Sequence, residues 1–86
     1  MPELSRFYGI VIRMYFGDHD PPHFHAYYAG AKAVFAIPSS EVIHGNLPTR
    51  ATKLIVEWAS LHQDELLQAW DLAVALQQPD RIEPLP

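Results

Sequence analysis

The chain has no cysteine in 86 residues. That absence excludes disulfides, thiolate metal sites and a cysteine nucleophile together. Cations are scarce as well: six Lys and Arg stand against ten Asp and Glu, a formal net charge of −4. Through residue 50, Arg6, Arg13, Lys32 and Arg50 balance Glu3, Asp18, Asp20 and Glu41. Beyond it, only Lys53 and Arg81 face Glu57, Asp64, Glu65, Asp71, Asp80 and Glu83. Nonspecific duplex binding draws its affinity from cations that neutralise phosphates, so the acidic C-terminal half is a poor surface for it. Any nucleic-acid contact is expected from the N-terminal half. No stretch approaches the ~20 apolar residues that span a bilayer. The opening "MPELSRFYGIVIRMYFG" lacks the basic-then-apolar order of a signal peptide, and Arg13 interrupts its apolar run. A soluble cytoplasmic protein without membrane association is the expectation.

What is present is a globular composition, 49% hydrophobic and 19% charged. The length predicts one small domain over residues 1–86, which buries roughly 60–65% of the surface of its unfolded chain. "FYGIVIRMYF" is rich in β-branched and aromatic residues and predicts a strand over 7–16, with Ile10, Ile12, Met14 and Phe16 on the core face. Gly17 to Pro22 supplies turn chemistry. Further strands are predicted over 23–28, over 32–37 where Pro38 stops the run, and over 41–44.

After Pro48 the period changes to helical, with Ala51, Leu54, Ile55, Trp58, Leu61 and His62 recurring, then Leu66, Ala69, Trp70, Ala73 and Leu76. One unbroken helix over 50–77 would span ~42 Å at ~1.5 Å per residue, long for a domain whose radius of gyration should be near ~12 Å. Ser60 with Gln63 fits a capping box, and Asp64 and Glu65 suit a helix N-terminus. Two helices are therefore expected, over 49–61 and 63–77, or one kinked helix, with an extended Pro-rich tail over 78–86. The fold class is α+β: a three- to four-stranded antiparallel meander with the helices packed on one face.

The chemistry concentrates in "GDHDPPHFHAYY". Strand alternation puts Phe24, Ala26 and Tyr28 inward and His23, His25 and Tyr27 outward, beside Arg13 and Tyr15 of the preceding strand. Opposed residues of paired strands lie ~4.5–5.5 Å apart. Three readings follow. In the first, Arg13, Tyr15, His19, His23 and His25 are catalytic candidates for phosphodiester or other anion chemistry. The histidines, with pKa near about 6.5, would exchange protons and Arg13 would bind phosphate. In the second, His19, His23, His25, Asp18 and Asp20 supply ligands for a divalent metal, the alternative to an expectation of no cofactor. In the third, the segment is a rigid turn stiffened by Pro21 and Pro22 and capped by its aspartates. His44 and His62 are read as a turn residue and a half-buried helix-junction residue, and Trp58 and Trp70 as core or interface. The apolar helix stripe suggests a partner surface for a small protein or a homodimer.

The segments "SRFYGIVIRMYFGDHDPPHFHAYY" and "LPTRATKLIVEWASLHQDELLQAWD" closely resemble a small prokaryotic family, domain of unknown function 4160. The resemblance implies a compact α+β protein of a prokaryotic cytoplasm. It also implies a place in a toxin–antitoxin-type module beside a second small protein. It carries no established catalytic residues. The expectation is a module component with a small protein partner and RNA-directed activity at the His/Arg cluster. The alternatives are a non-catalytic interaction module or a metal-binding protein.

Overall fold

The computed structural model describes residues 3–86. Five strands form one antiparallel sheet in sequence order: β1 (Glu3–Phe7), β2 (Ile10–Arg13), β3 (His23–Tyr28), β4 (Ala31–Ala36) and β5 (Val42–Gly45). Two helices follow, α1 (Thr49–Leu61) and α2 (Gln63–Val74). The α+β meander is therefore as expected, with five strands instead of three or four.

The difference arises at the strand expected over 7–16: only Ile10–Arg13 of it is a strand, and Glu3–Phe7, largely ahead of it, forms another. Tyr8 and Gly9 both take positive φ, 49° and 80°. A two-residue loop with both φ positive matches the right-handed twist of the strands it joins and turns the chain back on itself. Glu3–Phe7 thereby pairs with Ile10–Arg13, and residues 14–16 leave the sheet. Met14 stays buried, whereas Phe16, expected in the core, is exposed. Ala29 and Gly30 repeat the same turn between β3 and β4, with φ of 49° and 82°.

The core lies between the helices and one sheet face. Ile10, Ile12, Phe24, Ala26, Ala33 and Phe35 point into it. Ala51, Ile55, Trp58 and Ala59 of α1 and Leu66, Ala69, Trp70 and Ala73 of α2 cover them at helical spacing. Trp58 is fully buried, with ring centroids 5.4 Å from Phe7 and 5.8 Å from Phe24. Leu61 and Leu76 fall outside this interface and are exposed.

The helices part at His62, whose φ of −129° ends α1 without Gly or Pro. The expected Ser60–Gln63 capping box does not form: the Ser60 hydroxyl turns back to the Glu57 carbonyl, and His62 is the N-terminal cap residue of α2. Asp64 and Glu65 do occupy its first turn, where the helix dipole favours them. The α2 helix stops at Val74, three residues short of its expected end. The radius of gyration is 11.5 Å. No helix among the described residues is long and apolar enough to cross a membrane.

A candidate carboxylate–imidazole site on the outer sheet face

The register of β2 and β3 pairs Val11 with Tyr27, Ile12 with Ala26 and Arg13 with His25. Opposed residues of an antiparallel pair project to the same face, and successive residues alternate. The buried Ile12–Ala26 pair fixes the inner face, so Arg13, His25 and Tyr27 lie on the outer one. Pairing of His25 with Val34, Val34 with His44, and Tyr27 with Lys32 extends that face to β5. A groove of about 190 Å³ there is lined by His25, Lys32, Ala33, Val34, His44 and Gly45. Lys32 and His44 were not among the candidate residues; carrying the alternation one strand further would have placed Lys32 here.

The loop between β2 and β3 folds over one end of this face. Gly17 anchors it by donating its amide to the Ala73 carbonyl of α2 at 3.0 Å. Asp18 then reaches the strand and becomes the centre of a polar cluster. Its Oδ1 accepts from the His19 amide at 3.0 Å and lies 3.1 Å from His19 Nδ1. Its Oδ2 lies 2.8 Å from His23 Nε2 and 3.4 Å from His25 Nε2. Burial works against the Asp18 anion, but the hydrogen bonds from His19, His23 and His25 outweigh it and lower its pKa to about 2. Burial pushes the His25 pKa below its usual value, against the pull of Asp18.

The candidate histidines differ sharply. The His19 side chain is 93% exposed. His23 is buried, its ring 5.0 Å from Trp70, and both its nitrogens are engaged, Nδ1 with the Pro21 carbonyl at 2.6 Å. A symmetrical proton exchange between His23 and His25 does not fit that environment. His25 packs edge-on against Tyr15 at 4.5 Å. The Tyr15 and Tyr27 hydroxyls are hydrogen-bonded to each other, and burial together with that bond raises the Tyr15 pKa. The Arg13 guanidinium sits 5.5 Å from the Tyr27 ring centroid, and its Nε is buried without an acceptor. Asp20, proposed as a ligand, is exposed and lies outside the group that could hold an ion. That group is Asp18, His23 and His25, whose donor atoms all lie within 4.8 Å of one another.

Fold and site together define a small α+β domain, a meander backed by two helices, with a carboxylate–imidazole cluster at one end of its open face. The family described as "Domain of unknown function (DUF4160)" matches residues 9–71, and the chain belongs to that family. The matched region includes the whole cluster. No curated protein and no solved structure matches the chain.

Proposed function

We propose that the outer sheet face binds the phosphates of an anionic substrate, with RNA the polymer that suits it best, and that the chain serves as one component of a toxin–antitoxin-type module. The observation that carries this is two cations without an ion pair on that one face; among the described residues Arg50 and Lys53 of α1 lack one too but stand on the helical side. Arg13 and Lys32 make no ion pair among the described residues, although the chain has a net charge of −4. The exposed carboxylates Glu57, Asp64, Glu65 and Asp71 stand on the helices instead. The Arg13 side chain is half-buried on this face, and its guanidinium would donate to a phosphate oxygen in a charge-assisted bond. Tyr15, half-buried beside it, is a ring on which an unstacked base can lie, while the Tyr27 ring carries the Arg13 guanidinium. The Asp18–His23–His25 cluster adjoins the phosphate position and is where chemistry would occur.

The test is fluorescence anisotropy with a labelled single-stranded RNA, alongside a cleavage assay. Replacing Arg13 and Lys32 together by Ala is expected to weaken binding at least tenfold. It should also reduce the slope of log affinity against log salt by about 1–2. Unchanged affinity and slope in that variant would defeat the reading. A second reading, docking of a small partner protein, draws on the exposed Leu61, Leu67, Val74 and Leu76 of the helical side. Co-purification with the neighbouring gene's product, lost in Leu67→Asp, is its check.

A further inference from the structure

The hydrogen bonds around His23 do not balance for a neutral ring. Its Nδ1 lies 2.6 Å from the Pro21 carbonyl, which can only accept, so Nδ1 carries the proton. A neutral ring then presents a lone pair at Nε2, yet Nε2 faces the Asp18 carboxylate at 2.8 Å. Two lone pairs at that separation repel unless a cation, either a proton on Nε2 or a metal ion, stands between them. His25 Nε2 approaches the same oxygen at 3.4 Å.

We propose that Asp18, His23 and His25 hold a divalent first-row transition-metal ion of the zinc type. Ligands about 2.0–2.1 Å from such an ion lie about 2.8–3.4 Å from one another, whether the geometry is octahedral or tetrahedral. The two nitrogen-to-oxygen separations here match that range. Supporting contacts are in place as well: the Pro21 carbonyl fixes the tautomer and orientation of His23, and the His19 amide holds the other oxygen of Asp18. Two imidazoles and one carboxylate leave at least one coordination position for water or substrate. Arg13 stands opposite His25 across the strands, on the same sheet face. The ion site stands on its own geometry; only its use on a phosphate ester rests on the reading proposed above.

The experiment is calorimetric titration of chelator-treated protein with zinc chloride, with elemental analysis after dialysis and the visible spectrum of the cobalt(II) form. One equivalent of zinc per chain is expected. His25→Ala and Asp18→Asn should each weaken it at least tenfold, while His44→Ala and His62→Ala bind as wild type. Because the His23 ring packs on Trp70, His23→Ala is read only alongside its circular dichroism; the other two variants decide. Absence of stoichiometric zinc, or binding that survives both His25→Ala and Asp18→Asn, overturns the site. His23 would then be a doubly protonated imidazolium donating to Pro21 and Asp18. Zinc binding retained in the Arg13/Lys32 double variant separates the two proposals. RNA affinity unchanged in that double variant, with zinc bound, overturns the phosphate surface alone, and RNA binding by wild type without stoichiometric zinc overturns the ion alone.

Discussion

Trp58 donates its indole N–H to the Glu83 carbonyl at 2.8 Å, tying the middle of α1 to a segment without regular secondary structure. The same segment crosses β1, where the Ile82 amide donates to the Leu4 carbonyl at 2.7 Å, and the Tyr8 hydroxyl donates to the Pro86 carbonyl at 2.6 Å. Ile82 and Leu85 are buried in the core cluster. The tail thus closes the end of the sheet and helices that five short strands leave open.

Ile82→Ala is therefore expected to cost about 2–4 kcal/mol, the usual range for emptying a buried aliphatic site. Arg81→Ala, whose guanidinium reaches Glu3 at 3.2 Å from an exposed position, should cost well under about 1 kcal/mol. Urea denaturation of both variants checks the pair. A tail that merely trails along the surface would show no difference between them.

Gly30, just before β4, and Gly45, the last residue of β5 and opposite Ala33, make a second comparison. A methyl group at Gly45 would lie 2.5 Å from the Lys32 carbonyl oxygen and 3.0 Å from the Ala33 Cα, both backbone atoms that cannot step aside. At Gly30 nothing lies within 4 Å, and only its φ of +82° resists a side chain. Gly30→Ala should cost about 1 kcal/mol, and Gly45→Ala at least about twice that. For a domain of this size the gap corresponds to a melting difference of about 4–8 °C or more. Equal melting temperatures would contradict the tight β4–β5 junction.

The end of α2 offers a stabilising change. The Gln77 amide donates to the Leu72 carbonyl at 2.8 Å and the Leu76 amide to the Ala73 carbonyl at 3.0 Å. These bonds form a Schellman closure, whose central residue is normally Gly because its φ is positive. Here it is Leu76, at φ 62° and 71% exposed. Leu76→Gly is expected to raise stability by about 0.5–1 kcal/mol, seen as a higher urea midpoint. A fall would mean that the Leu76 side chain, whose Cδ2 would lie 3.4 Å from a methyl group at Gly17, packs there well enough to outweigh the backbone strain.

The same residue shows why parts of the fold were legible and others were not. Strand β3 and the placing of Arg13 and His25 on one face followed from alternation, because the apolar residues between them had to face one core. The helix break near Leu61 followed from length and the acidic first turn. The Tyr8–Gly9 reversal was hidden because Tyr is a poor signal for positive φ, and Glu3–Phe7 lacks a β-branched residue. The end of α2 was hidden because Leu, not Gly, sits at the closing position. In the cluster, the residue types were visible and their division of roles was not. Which histidine is buried against Trp70 and which is free depends on a loop that docks on α2, and no local pattern encodes that contact.

Asp18 and His25 make acid stability a test of the cluster in metal-free protein. The His25 pKa lies below its usual 6.5, so unfolding takes up a proton as pH falls, and stability drops from about 6.5 down to the folded value. Asp18 titrates near 3.8 when unfolded and at about 2 when folded. Its contribution is fully present above 3.8 and is lost as pH falls through about 2. The side chain is only 19% exposed, so the loss should approach, without exceeding, about 2 kcal/mol. Urea midpoints measured in chelator from pH 7.5 to 2 should therefore fall in two stages. His25→Ala removes the upper stage and Asp18→Asn the lower. A wild-type profile flat below pH 4 would show that the three imidazoles do not hold this carboxylate.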